Sequence, residues 1–240
     1  ATSFLINYSL GVLDDNDTIT KIYFDNINKD KIEKIIELNS NIKKWEWKNV
    51  QCKDWTVNWR PYFTDINIED KVVIIPEWKS ENENDKVIIK IDPGMAFGTG
   101  HHESTELMIK AILKYHKKNM DVIDVGTGSG ILSILAYKLQ SKKILSIDND
   151  FEIKSNFEKN MNLNNVILDL EIKDCLNIQD FNYDMILANI NKTVLIHLLP
   201  LIGKIKGCAI LSGLLESDFQ QIKKIINNNE YKIIDKYKKK

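Results

Sequence analysis

From Val122 onward the chain repeats one unit: a short apolar run with strand-forming residues, a turn, then a segment with helical periodicity. VIDVG leads into ILSILAYKL and KILSID into a polar helical stretch ending near Asn162. VILDLEI follows, then YDMILANI with the helical VLIHLLPLI, and AILSG closes the series. Strands separated by helices do not pair as hairpins. Each helix carries the chain back over the sheet, so the strands run parallel with right-handed crossovers. The expected fold class is α/β, a doubly wound sheet whose ligands sit at the carboxyl ends of its strands.

Before residue 80 the texture changes. TITKIYFD reads as a strand and KDKIEKIIELN as an amphipathic helix with Ile32, Ile35, Ile36 and Leu38 on its apolar side. The tryptophans of WEWKNVQCKDW, with Trp59 just beyond, read as a small core rather than a stacking platform. The polar run SENENDK at 80–86 reads as a hairpin turn between VVIIPEW and VIIKID. The expected organisation is a small N-terminal α+β domain over 1–65, a connector over 66–86 and the alternating domain over 87–240. With 240 residues and 43% apolar content, the chain is long enough for a full core.

Charge and cysteine content narrow the partners. Basic residues number 33 against 34 acidic, net −1, so no sustained positive field exists for generic nucleic-acid binding, and no direct DNA binding is expected. Cys52, Cys175 and Cys208 lie far apart with no paired spacing, which fits a reducing compartment. No apolar run approaches the roughly 20 residues of a membrane helix, and no signal peptide opens the chain. A cytoplasmic protein with no membrane partner is the expectation.

Two glycine-studded loops carry the chemistry: DPGMAFGTGHHESTELM at 92–108 and DVGTGSG at 124–130. In the second, Gly126, Gly128 and Gly130 follow a strand and precede a helix, where glycine permits a tight turn and close approach of a ligand to the backbone. Asp148 ends the next strand, where a carboxylate can accept both hydroxyls of a ribose, although a helix N-cap is the plain alternative. A dinucleotide site needs G-x-G-x-x-G; the pattern here is D-x-G-x-G-x-G, which favours S-adenosyl-L-methionine. His101 and His102 are adjacent, point apart and lack a third ligand at helical spacing, so no metal site is expected.

DPGMAFGTGHHEST, VIDVGTGSGILSI, SIDND, LANI and LSGLLES, in this order and spacing, resemble the ribosomal protein L11 methyltransferase family over about Asp54 to Glu216. The resemblance implies a Rossmann-like class I methyltransferase domain, S-adenosyl-L-methionine as cofactor, and a small N-terminal domain that captures the substrate. It implies methylation of lysine and amino-terminal amines of the large-subunit ribosomal protein L11, free or on the ribosome. Carried over by position, cofactor contacts fall on Thr105, Gly126, Asp148 and Asn189. The segment from Phe97 to Gly100 would fold over the same ligand, and Gly128 belongs to the same loop. The family usually reads Thr-His-Pro-Thr-Thr where this chain has His101-His102-Glu103-Ser104-Thr105; Thr105 is retained. The resemblance also implies a strand and helix ahead of FLINYSLGVLDD, which itself reads as the end of that helix, and a final antiparallel strand beyond IIDKYKKK.

Asn189 is the expected catalytic residue. In related amine methyltransferases an Asn or Asp at the end of the fourth strand offers its carbonyl to the attacking nitrogen; the plain alternative is a turn residue. An ordinary lysine amine titrates near about 10.4, so neutralising it at pH 7 costs roughly 4.6 kcal/mol. Desolvation in a closed site supplies much of that, and alignment rather than a strong general base is expected to drive transfer. Cofactor motifs do not specify the acceptor, so another protein, a nucleic acid or a small molecule stays open as a substrate. An NAD-dependent oxidoreductase or a non-catalytic nucleotide-binding module is the alternative from another class.

Overall fold

β1 (Gly11–Asp15) and β2 (Ile19–Tyr23) pair antiparallel, in register Gly11↔Tyr23 to Asp15↔Ile19. GVLDD is thus a strand and not the end of a helix, because all five of its residues pair with ITKIY. Helix α1 (Lys29–Glu37) follows, with Ile32 and Ile36 buried one turn apart. The indole N–H of Trp47 donates to Glu33 at 2.7 Å. The computed structural model describes residues 11–15, 19–23, 29–37, 46–47, 64–80, 85–92, 103–203 and 206–238. The chain divides into two compact units, Ala1–Arg60 and Pro61–Lys240.

The second unit opens with a three-stranded sheet, β3 (Ile66–Ile68), β4 (Val72–Pro76) and β5 (Val87–Ile91), with β4 central and wholly buried. β3 and β4 form a tight hairpin. Glu69 and Asp70 both adopt left-handed φ, +53° and +54°, and Lys71 N–H donates to Ile68 C=O at 3.1 Å, the geometry of a two-residue primed turn. β4 and β5 are parallel, in register Val72↔Val87 to Pro76↔Ile91, so the hairpin expected across SENENDK is not there. One edge of β4 is already taken by β3, and the connection over 77–86 returns the chain along the other. Polar composition marked a loop there but not its direction.

The alternating region folds as expected. β6 (Asp121–Val125), β7 (Lys143–Asp148), β8 (Asp169–Ile172), β9 (Met185–Asn189) and β10 (Cys208–Ser212) form a parallel sheet in the order β10-β9-β6-β7-β8. Between them run α2 (Glu103–Tyr115, ahead of β6), α3 (Ile131–Lys138), α4 (Ile153–Leu163) and α5 (Lys192–Leu198), with α6 (Phe219–Asn228) after β10. Alternate strand residues serve opposite layers. Val122, Met185, Leu187 and Ile210 pack with α2, α3 and α4, while Ile123, Val125, Ile186 and Ala188 pack with Leu195, Leu198 and Ile222 of α5 and α6. The sheet is therefore covered on both faces, as parallel strands require. Residues 231–238 carry no regular secondary structure. Among the described residues, no helix is long and apolar enough to cross a membrane.

Candidate active site

The chain reverses after β6 through glycines with left-handed backbones and enters α3 at Ile131. The Gly126 and Thr127 N–H groups both donate to Ile147 C=O, at 2.8 and 3.0 Å, which seats the loop on the end of β7. A Cβ at Gly126 would collide with Ile190 Cγ2, and one at Gly213, just past β10, would collide with the Ile190 carbonyl. Ile190 follows Asn189 directly, so the loops after β6, β9 and β10 meet around a single side chain and its peptide.

Asp148 ends β7 and is buried. Its Oδ2 accepts from Gly128 N–H at 2.9 Å and its Oδ1 from Asp150 N–H at 3.0 Å. Each oxygen retains a second lone pair. Asn189 ends β9, and its amide donates to Thr105 Oγ1 at 3.4 Å, bringing the first turn of α2 to the strand end. Thr105 is 1% exposed. The Asn189 Oδ1 atom is buried with no hydrogen-bond partner among the described residues. Asn191, by contrast, is a helix cap: its Oδ1 accepts from Val194 N–H at 3.0 Å. These groups line an open cleft of about 1740 Å³ that includes Gly126, Gly128, Asp148, Asn189 and Ser212.

Of the residues expected from sequence, the structure brings Gly128 to Asp148, Thr105 to Asn189, and Gly126 against the residue following Asn189. Phe97, His101 and His102 lie outside the described residues, among which no group of His, Cys, Asp and Glu could hold a metal. Asp174 lines the cleft and caps a short 3-10 turn through Leu176 N–H at 2.9 Å. His116 contacts Ser141 Oγ at 2.7 Å, and His197 is exposed on α5 with Nδ1 2.7 Å from Thr193 C=O.

Beneath the loop lies Asp124, which sequence reasoning left without a role. Its Oδ2 accepts from Thr127 Oγ1 at 2.8 Å and Ser133 Oγ at 2.7 Å, and Ser146 Oγ stands 2.8 Å from Ser133 Oγ. Its Oδ1 is buried without a partner among the described residues. Burial raises this carboxyl from 3.8 to about 6; hydrogen bonds from Ser133 and Thr127 oppose the rise and the nearby Asp148 charge adds to it. A folded-state value above the unfolded one means that the fold prefers the protonated form. Stability from this group is present below about pH 4 and is lost as pH climbs toward 6. We expect Asp124→Asn to gain about 2 kcal/mol on the wild type between about pH 4 and about pH 7. Urea denaturation at both pH values measures this, and parallel pH profiles would refute it.

A family model described as ribosomal protein L11 methyltransferase matches residues 8–240, well beyond the stretch that carries the motifs. A ribosomal protein L11 methyltransferase of Dictyoglomus turgidum is 34% identical over 231 residues, covering 92% of this chain and 77% of that protein. One from Caldicellulosiruptor saccharolyticus is 38% identical over 202 residues, covering 82% and 67%. Among solved structures, the ribosomal protein L11 methylase of Lactobacillus delbrueckii subsp. bulgaricus superposes with a TM-score of 0.68 at 32% identity, covering 74% of this chain and 94% of that one. A Rossmann-like sheet that brings together a glycine loop, an acidic strand end and an asparagine strand end, on a chain matched nearly throughout, places this protein in the ribosomal protein L11 methyltransferase family.

Proposed function

We propose that this chain methylates amines of ribosomal protein L11, lysine side chains and the amino terminus, using S-adenosyl-L-methionine and working in the cytoplasm. The observation that carries this reading is Asn189, which lines the cleft at the end of β9 and whose carbonyl oxygen is buried without a partner among the described residues. Such an oxygen is costly to leave unpaired, and an incoming amine N–H would satisfy it. The donor supplies a methyl group on a sulfonium centre. Gly126 and Gly128 would admit it close to the backbone, and the spare lone pairs of Asp148 would accept ribose hydroxyls. Thr105 holds the Asn189 amide so that its carbonyl faces the acceptor. Phe97 is proposed to cover the same ligand, and the unit before residue 61 to capture the protein substrate.

Incubation with labelled S-adenosylmethionine and either intact ribosomes or free ribosomal proteins, followed by mass spectrometry, tests the proposal. Label on amines of L11 supports it; label confined to another protein, to RNA or to a small molecule overturns the acceptor. The ribose assignment has its own test. Asp148→Ala should weaken S-adenosylhomocysteine binding by about 1–3 kcal/mol, the range for hydrogen bonds to a charged acceptor. An unchanged dissociation constant in titration calorimetry would remove Asp148 from the site.

A further inference from the structure

Helix α4 carries asparagine at 156 and 160 and is capped at its C-terminus by Asn164, the three spaced one turn apart and so on one face. Asparagine is a poor helix former, because its amide competes for backbone groups. Here each amide bonds backbone of another segment, although Asn164 also donates to Asn160 C=O of its own helix at 2.8 Å. Asn164 accepts from Lys90 N–H at 2.9 Å and donates to Lys90 C=O at 2.7 Å, the pair of bonds that a neighbouring strand would give β5. Asn160 accepts from Asp92 N–H at 2.8 Å and donates to Ser129 C=O at 2.8 Å. Asn156 donates to Asp92 C=O at 3.3 Å, and Lys159 reaches Asp92 Oδ2 at 2.8 Å and Glu77 Oε2 at 2.7 Å.

Asp92 immediately precedes PGMAFGTG, and Ser129 lies within the second glycine loop. Asn160 is fully buried and is thus the side chain that joins the root of the first glycine-rich segment to the second. We propose that Asn160 is a positioning residue for S-adenosylmethionine binding, tying Asp92, just after β5, to Ser129 so that the glycine loop after β6 is preset when the ligand arrives. This rests on the reading of that loop as part of the cofactor site. Preset loops bind more tightly because the ordering cost is met during folding rather than on association. Asn164 provides the internal control: it lies on the same helix face, is also buried and bonds the same strand, yet its bonds to other segments stop at Lys90.

The test compares Asn160→Leu, Asn160→Asp and Asn164→Leu by S-adenosylhomocysteine titration and by residue-resolved amide exchange without ligand. Asn160→Leu should weaken binding by about tenfold or more, while Asn164→Leu stays within about twofold even if it melts earlier. In Asn160→Leu the amides of both Asp92 and Gly128 should lose protection; in Asn164→Leu the loss should fall on Lys90. Asn160→Asp keeps the acceptor for Asp92 N–H but, when ionised, has no donor for Ser129 C=O. Its binding deficit relative to wild type should therefore shrink as pH falls and the carboxyl gains an O–H. Equal weakening in the two leucine variants, a pH-independent deficit in Asn160→Asp, or unchanged Gly128 exchange in Asn160→Leu each overturns the proposal. Failure of the wild-type protein to bind S-adenosylhomocysteine would sink the cofactor reading instead, and the exchange comparison would still decide the coupling.

Discussion

Asn189→Ala should lower turnover on ribosomal protein L11 by about a hundredfold or more while S-adenosylhomocysteine affinity changes by less than about threefold. Asn189 carries a side-chain oxygen with no partner among the described residues. Asn189 Oδ1 is buried at the end of β9, and its amide is engaged by Thr105, so the carbonyl does not rotate freely to find another donor. An amine that docks there gains a hydrogen bond and an orientation together. The proposed cofactor contacts, in contrast, are spread over the loop after β6 and over Asp148, whose own hydrogen bonds do not involve the Asn189 side chain. Single-turnover kinetics with saturating donor, paired with calorimetry, separates the two effects. Equal losses in turnover and affinity would make Asn189 a binding residue, and an unchanged turnover would remove it from the reaction.

Deleting residues 1–60 should leave donor binding within about twofold but reduce L11 methylation by about a hundredfold. Thr105, Gly126, Asp148 and Asn189 all belong to the unit that begins at Pro61, with its own two sheets and core. What the first unit would contribute is a surface that presents the amine, and presentation matters more for a folded protein acceptor than for a small amine. Methylation of a short lysine peptide should consequently fall less than that of L11. A truncated enzyme as active on L11 as the whole chain would show that capture lies elsewhere.

The sheet was legible because its signal is redundant. Four of the five parallel strands are largely apolar runs bounded by turn residues and alternate with helices, and only the edge strand β8, DLEI, is mostly exposed. Direction was harder to read. SENENDK marks a break, but nothing local says whether the chain turns back beside β4 or travels the length of the strand; β3 occupies one edge of β4, which fixes the edge β5 takes, while its parallel direction is seen only in the pairing itself. GVLDD was misread for a related reason, since five residues hold too little periodicity and only pairing with ITKIY defines them. Within the site, Gly126, Gly128 and Asp148 were readable from spacing. Asn160 was not, though its signal was present: asparagines one turn apart in a helix carry a propensity cost that some tertiary contact must offset. Asp124 was visible as the first residue of the glycine motif, but its burial and unpaired oxygen arise only from the packing of Ser133 and Ser146 around it.

The wedge at Ile190 has a consequence for how this family can vary. At Gly126 the obstruction to any larger residue is a side-chain atom, Ile190 Cγ2; at Gly213 it is the Ile190 carbonyl oxygen. Positions 126 and 190 are therefore epistatic, because a smaller residue at 190 relieves the collision and leaves only the cost of a left-handed backbone. Position 213 has no such partner: whatever side chain stands at 190, its peptide oxygen stays in place. Paired changes at 126 and 190 can therefore be accommodated in this fold, whereas position 213, beside the end of β9, calls for glycine whatever side chain stands at 190.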